Sequence, residues 1–307
     1  MMQHSAVDPR SYCKQTIMNQ SKTYVDITPK MTATDFECLS KLIYGKCGIK
    51  MPPEKKIMLE ARLQKRLRLR GITSFRAYCD MIFKSPAGSD EIVYMIDAVT
   101  TNKTDFFREP IHFTFLTDTA LPEFIDSCHC HPTAQPPFMV WSSACSSGEE
   151  PYTLAIVLGE FEQRNPGFTY AVTASDISTR VLDKARTGIY EEGQISMIPL
   201  PLKQRYFLRS RDRKRGEVRV VPKLRSRVLF QRLNLMDEKY PLRMESVDAL
   251  FCRNVIIYFD RQTQLALLGR LCQYIRSGGY LFLGHSETVH GLDLPLVRVM
   301  STIYRKI

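Results

Sequence analysis

The sequence predicts an α/β fold, a mostly parallel, doubly wound sheet with a small β insertion, preceded by an all-helical domain. Three observations carry that expectation. Residues 30–98 show apolar spacing at the helical period, with short connections. After Arg108, short apolar runs alternate with helix-like segments, which implies parallel strands joined by right-handed crossovers. Between residues 190 and 232 the alternation breaks, so the second domain, residues 99–307, is expected to carry an insertion at about 195–227. A chain of 307 residues at 44% hydrophobic content can build its own core without disulfide or metal staples.

Residues 1–29 are polar, lack apolar periodicity and read as a tail. Thr32 or Thr34 can cap a first helix with apolar Phe36, Leu39, Leu42 and Ile43, ended by Gly45 or Gly48. Pro52 and Pro53 open a second helix that runs to Gly71. Ile57, Leu59, Leu63, Leu67 and Leu69 are expected to bury one side of it. Lys55, Arg62, Lys65, Arg66 and Arg70 share much of another side. Ser74 starts a third helix with Phe75, Tyr78, Cys79, Ile82 and Phe83, and Ser89 a fourth with Ile92, Met95, Ile96 and Val99.

In the second domain a helix opens at Pro110 and runs to about Ser127, interrupted by Pro122. Strands are expected at 138–142, 170–174, 247–252 and 280–283, with 228–230 a further candidate. Helices at about 150–163, 178–186 and 261–275 lie between them. Inside the insertion, YFLRS and VRVV flank a polar turn as a hairpin. LVRVMS and IYRKI close the chain as paired strands.

The formal charge is +11, from 43 Lys and Arg against 32 Asp and Glu. This excludes an acidic solvating protein and suggests an anionic partner. The charge is local: residues 50–70 carry +6, residues 203–232 carry +10 and the remainder −5. No apolar run reaches the ~18–20 residues of a membrane span, and the N-terminus has no apolar signal core. Nine cysteines without regular spacing look like reduced thiols. A cytoplasmic protein that does not insert into membrane is expected.

Ligands of a doubly wound sheet bind beyond the C-terminal ends of its strands. After the first strand, Ser142–Tyr152 (SSACSSGEEPY) is a loop of small residues entering a helix. It lacks the glycine patterns of dinucleotide and P-loop sites, and it places Glu149 and Glu150 where a phosphate would need free helix amides. A cationic, amine-bearing ligand fits better. After the second strand, Asp176 can accept from both ribose hydroxyls of an adenosine, or cap the next helix. Adenosine with a cationic, amine-bearing part and no phosphate describes S-adenosylmethionine. After the later strand, Arg253 and Asn254 fall at the ligand position, and Tyr258 follows closely. The linker TTNKTDFFRE (100–109) sets polar side chains beside a Phe pair, as a lid anchored by aromatics would.

TTNKTDFFRE, SSACSSGEEPYTLA, ASDISTRVLDKARTGIY, NLM, FCRNVIIYFD and LGHSE occur in this order at fitting spacing. Together they resemble the chemoreceptor glutamate O-methyltransferases of bacterial chemotaxis, the CheR family, over about residues 30–290. The resemblance implies an all-α N-terminal domain, then a Rossmann-like S-adenosylmethionine-dependent methyltransferase domain with an inserted small β-subdomain. It implies that Asn102, Thr104 and Arg108 approach the cofactor, and that Glu150 and Asp176 contact its methionine and ribose parts. Asn234 with Leu235, and Arg253 with Asn254, would line the adenosine and sulfonium region. Arg108 and Tyr258 match the reacting centre. The expected substrate is the cytoplasmic domain of a methyl-accepting chemoreceptor, met by the enzyme as a monomer.

The basic elements then acquire targets. The second helix would hold glutamate-bearing receptor helices. The hairpin turn, with Arg211, Arg213, Lys214 and Arg215, would meet a receptor C-terminal peptide or another acidic protein. An RNA methyltransferase is disfavoured because the linker and FCRNVIIYFD do not resemble base- or ribose-methylating signatures, so no nucleic-acid partner is expected. A non-catalytic cofactor sensor is disfavoured because every matched position is present. Cys128-His129-Cys130-His131 is spaced too tightly for one tetrahedral zinc, and no metal is expected. Cys145 has no accompanying His. His285 and Glu287 are assigned to shaping a strand end.

Overall fold

Thr32 opens the helical domain by satisfying N–H groups that a helix start leaves free. Its hydroxyl accepts from the Asp35 N–H, and the Asp35 carboxylate accepts from the Thr32 N–H. In the computed structural model, which describes residues 29–129 and 136–307, helix α1 (Ala33–Cys47) ends on Gly48 in the left-handed region. Of the expected tail at 1–29, residues 1–28 lie outside the described residues, as do Cys130 and His131. Helices α2 (Lys56–Arg70), α3 (Phe75–Lys84) and α4 (Gly88–Val99) follow. Their core includes Leu39, Ile43, Leu59, Leu63, Leu67, Tyr78 and Met95.

The buried stripe of α2 is narrower than expected. Leu59, Leu63 and Leu67 are fully buried at i, i+4, i+8, whereas Ile57 is 81% and Leu69 65% exposed. A step of two residues turns ~200° around a helix, so Ile57 and Leu69 face away from that stripe. Phe83 is likewise exposed, and the core takes Ile82 instead.

Helix α5 (Ile111–Phe115) passes through a wide π turn at Leu116–Ala120 into α6 (Leu121–His129). Pro122 sits in the first turn of α6, where its missing N–H costs little, so the path continues instead of breaking. Then come β1 (Phe138–Ser142), α7 (Glu149–Arg164), β2 (Tyr170–Asp176) and α8 (Thr179–Thr187). The insertion holds β3 (Ile189–Glu191), α9 (Leu200–Tyr206), β4 (Phe207–Arg209), β5 (Glu217–Val220) and α10 (Pro222–Arg225). The chain closes with β6 (Val228–Arg232), β7 (Val247–Cys252), α11 (Arg261–Tyr274), β8 (Ile275–Leu283), β9 (Leu296–Met300) and β10 (Ile303–Lys306).

The main sheet has seven strands in the order β6-β2-β1-β7-β8-β10-β9. The first five named are parallel, and β10 pairs antiparallel with β8 on one side and with β9 on the other. The chain steps outward from β1 through β2 to β6, then crosses back to β7 on the other side of β1. That reversal opens a crevice beyond the C-terminal ends of β1 and β7. Alternate residues feed opposite faces: Phe251 stacks on Phe282 at 4.2 Å in one core, while Leu250 joins Trp141 in the other. Strand β8 is longer than expected, because it continues through Gly278 and Gly279 with a register shift against β7.

The insertion forms a separate antiparallel sheet, β3-β5-β4. The hairpin pairs Phe207 with Val220 and Arg209 with Val218, as its pattern suggests. Strand β3 begins at Ile189, before the expected start near 195. Its three residues are too short for an alternation to be read, but Tyr190 is fully buried there. Among the described residues, no helix is long and apolar enough to cross a membrane.

The helical domain is pinned by one buried carboxylate. Glu91 on α4 accepts from Arg66 Nε (2.8 Å) and Nη2 (2.7 Å), Arg70 Nε (2.6 Å) and Tyr78 Oη (2.9 Å). Burial alone would push its carboxyl up, but these donors outweigh that and hold it below the usual value. Replacing Glu91 by Ala is expected to cost about 2–4 kcal/mol in urea unfolding, because a paired charge loses its partner. The sign with pH follows from the lowered value. The Glu91 contribution is fully present above the ordinary carboxylate value of about 4.3 and is lost as pH falls below it. The stability gap between wild type and Glu91→Gln is therefore expected to close on acidification from pH 7 to pH 3.

Candidate active site

The loop after β1 is shaped by its neighbours. Ser143 N–H donates to Phe251 O (2.9 Å), and Cys145 N–H to Ser175 O (2.9 Å). Ser146 takes φ +50 and Gly148 φ +99, so the chain turns sharply into α7. A Cβ on Gly148 would lie 2.8 Å from the Tyr190 hydroxyl, which donates to Ser147 O. The inserted sheet thereby braces this loop from behind.

A cavity of about 240 Å³ opens at the crevice. Its walls come from the loops after β1, β2, β6 and β7, from the linker at 99–108, and from the helical domain through Cys47, Ile49, Met51, Lys55 and Met58. Asn102, Thr104, Arg108, Glu150, Asp176, Asn234, Leu235, Arg253, Asn254 and Tyr258 all line it. The structure brings together side chains that span 156 positions of the sequence only because four loops end on one edge of the sheet.

Most of the polar side chains among them are held by neighbours. Asp176 accepts from Ser146 N–H (2.8 Å) and Ser178 N–H (2.9 Å). Burial pushes its carboxyl up against the pull of those donors. Ser178 caps α8 through its own hydroxyl, so Asp176 is not the cap of that helix. Glu150 accepts from Ser142 Oγ (2.7 Å) and ion-pairs with Arg253 Nη1 (2.9 Å). Ser146 Oγ donates to Asn102 O (2.9 Å), tying the linker to the loop. Arg108 donates to Lys103 O (3.1 Å) and keeps a third of its side chain exposed. The Asn234 amide is spent on Lys46 O and the Met236 N–H, so it locks the two domains together. The Tyr258 hydroxyl has no hydrogen-bond partner among the described residues, and Lys55 Nζ lies 5.9 Å from its ring centre.

Glu287 explains the shape of the loop after β7. Its carboxylate accepts from the N–H groups of Asn254, Val255, Ile256 and Gly284 at 2.6–2.9 Å. Asn254 is thereby held at φ +57. A Cβ on Gly284 would lie 2.3 Å from Asn254 Nδ2, so only glycine leaves that amide its place. The LGHSE motif shapes a strand end, as its sequence suggests.

The residues fit S-adenosylmethionine. The carboxylates of Asp176 and Glu150 keep acceptor capacity beyond the donors they already hold. Leu233, Leu235, Ile177 and Val99 supply the apolar walls a purine needs. The helix start that a pyrophosphate would use is occupied by buried Glu149, whose hydrogen bonds go to Ser147 Oγ and Gln194 Nε2.

Sequence reasoning missed two features. The helical domain was read as a docking element, yet it supplies one wall of the cavity, joined through Lys50 N–H to Tyr258 O (2.9 Å) and Tyr44 Oη to Asp260 (2.7 Å). Only contacts far apart in sequence carry that information. Glu109 sat inside a motif already noted, but nothing local showed its partner, Arg253.

The expected docking cations divide. Arg62 donates to the Val99 carbonyl, to Thr100 O (3.2 Å) and to Thr101 Oγ1 (3.0 Å). With Arg66 and Arg70 committed to Glu91, three of the five docking cations expected at the second helix, Lys55, Arg62, Lys65, Arg66 and Arg70, serve the fold rather than a free face. Lys65 is exposed, as are Arg211, Lys214 and Arg215 on the insertion. Arg213 lies in the short 3-10 turn of residues 213–215. Among the described residues no cluster of His, Cys, Asp and Glu could hold a metal. Cys145 is buried, which pushes its thiol well up and removes it as a nucleophile.

Comparison with known proteins agrees with this geometry. Residues 102–304 match the family model described as CheR methyltransferase, SAM binding domain, and residues 34–100 match CheR methyltransferase, all-alpha domain. The chain is 37% identical over 290 residues to the chemotaxis protein methyltransferase of Borreliella burgdorferi, covering 94% of this chain and 100% of that protein. It is 40% identical over 270 residues to that of Klebsiella aerogenes, covering 88% of each. With that of Escherichia coli it shares 37% identity over 287 residues, 93% of this chain and 96% of the relative. With both CheR models matched, one over the helical domain and one over the sheet domain, and with these relatives 37–40% identical over most of their length, the chain belongs to the CheR methyltransferase family.

Proposed function

We propose that this enzyme methylates glutamate side chains on the cytoplasmic domain of methyl-accepting chemoreceptors, and that it acts as a cytoplasmic monomer. The observation that carries the reading is one cavity shared by two carboxylates suited to a cationic adenosine ligand and by an unpartnered tyrosine hydroxyl. Bound S-adenosylmethionine supplies an electrophilic methyl group on a sulfonium.

The chain's own residues do the rest. A glutamate is already ionised at pH 7, since its ordinary pKa is about 4.3, so no general base is needed. None of the residues lining the cavity is a histidine. Buried His112, outside the cavity, is held down to about 4, by burial first and then by Arg253, and stays neutral. The task left is alignment, which can supply roughly 7–11 kcal/mol in ideal cases. Tyr258 can donate to one carboxylate oxygen while the other attacks. A neutral donor orients the nucleophile without the strong counter-charge that would blunt it. With the cofactor bound, Asp176 and Glu150 would hold its ribose and amine ends, Asn254 and Leu235 would flank the adenosine, and Arg108, Asn102 and Thr104 of the linker would form the remaining wall.

Docking falls to the cations left free. Lys65 and neighbouring Arg68 stay exposed on α2, and Lys55 stands at the cavity mouth. Such charges raise association rates and are screened by salt. The inserted sheet has two edge strands, β3 and β4, and a basic turn at 211–215 that suits a receptor-tail peptide or another acidic partner.

Incubation with labelled methyl donor and receptor, followed by counting of base-labile methyl groups, tests the reading directly; no incorporation refutes it. Tyr258→Phe is expected to lower kcat about 10- to 100-fold, with donor Kd within about twofold. Equal turnover removes Tyr258 from the site. Arg108→Ala is expected to weaken both donor binding and rate, as calorimetry and initial rates will show. Replacing Arg211, Arg213, Lys214 and Arg215 with Ser is expected to weaken binding of a receptor-tail peptide about tenfold at low salt, and undiminished binding counts against a role for these charges.

A further inference from the structure

Arg253 is shared between two carboxylates, of which only one faces the cavity. Its Nη1 hydrogen-bonds Glu150 Oε2 at 2.9 Å, and its Nη2 lies 2.9 Å from Glu109 Oε2. The guanidinium is 2% exposed and Glu109 8%. Glu109 does not line the cavity; it stands behind Arg253. Arg253 Nη2 also donates to the Arg108 carbonyl, and Glu109 Oε2 meets it as a close, buried ion pair. The chain accepts a strained backbone to put it there, since Glu109 has φ +59. Its Oε1 accepts from the His285 N–H (3.3 Å), and Arg108 Nε at 4.0 Å, His285 Nε2 at 4.0 Å and buried His112 Nδ1 at 3.6 Å also lie near the carboxylate.

A carboxylate placed at such cost, aimed at one guanidinium and out of reach of the ligand, alters what that guanidinium does to Glu150. With Glu109 present, the Glu109–Arg253–Glu150 trio carries a net charge of −1. Without it, Arg253 and Glu150 cancel. The methyl donor carries a sulfonium and a net positive charge, whereas its product has a neutral sulfur and no net charge. We propose that Glu109 is a positioning residue that holds Arg253 and leaves the site electronegative, so that it favours the sulfonium-bearing donor over its spent product. This deepens the methyltransferase reading and rests on it.

The test is calorimetric binding of S-adenosylmethionine and of S-adenosylhomocysteine to the full chain, wild type against Glu109→Gln. In the Gln variant, preference for the donor over the product is expected to fall about three- to tenfold, the scale of one screened charge contact. Glu109→Asp, which keeps the charge and tolerates the left-handed backbone, is expected to retain more of that preference than Glu109→Asn. The Asp and Asn pair carries the comparison if the Gln variant does not fold. Equal weakening of both ligands, or an unmoved preference, overturns the inference while leaving the methyltransferase reading intact. Failure of the wild type to bind either ligand overturns both.

Discussion

The buried guanidinium of Arg253 sets the terms for everything around it. A charge taken out of water costs several kcal/mol unless neighbours satisfy it. Three separate pieces of the chain meet that demand. Glu150 comes from the first turn of α7, Glu109 and the Arg108 carbonyl come from the interdomain linker, and the ring of Phe113 on α5 lies beneath it at 5.8 Å. The loop after β7, the linker and the first β–α turn are thus tied to one another through this one guanidinium. Glu287 then fixes the remaining backbone of that loop with four N–H donors.

The same logic joins the two domains. The linker is clamped at both ends, by Arg62 on its carbonyls at 99 and 100 and by Arg253 on the carbonyl at 108. Asn234 reaches Lys46 O, and Thr179 reaches Asp97, so α1 and α4 sit against the strand ends of the sheet. A Cβ on Gly48 would come 2.6 Å from the Met236 sulfur, which shows how closely the domains approach. The helical domain is thus part of the cavity wall and not an appendage that only recruits substrate.

The net charge of +11 acquires a different meaning at this level. Much of the basic surplus in α2 is structural, bound to Glu91 and to backbone carbonyls. On the insertion, Arg205 and Arg227 are likewise paired, with Glu160 and Glu162. Among the described residues, the exposed cations without an ion pair include Lys65 and Arg68 on α2 and Arg211 and Lys214 on the basic turn. A cation's presence in a sequence says little about its availability; its distance to the nearest buried carboxylate decides that.

The architecture was legible in the sequence because it rests on local signals. Helical and strand periods, the Thr32 cap and the glycine stops reflect forces that act within a few residues. Of the cavity residues, Glu150, Asp176, Arg253, Asn254 and Tyr258 were legible from their place after strand ends, whereas Asn102, Thr104, Arg108, Asn234 and Leu235 came only from the family resemblance. Misplaced were Ile57, Leu69 and Phe83, where hydrophobicity alone cannot tell which side of a helix finds a neighbour. Strand β3 is too short to show a period and exists because β5 pairs with it. The sequence by itself therefore determined the elements, their order and the chemistry placed at their ends. Only the tertiary structure decided which charges are spent on the fold, that the helical domain closes the site, and that Glu109 stands behind Arg253. Those are pairings between residues tens to hundreds of positions apart, chosen by the cost of leaving a buried charge alone.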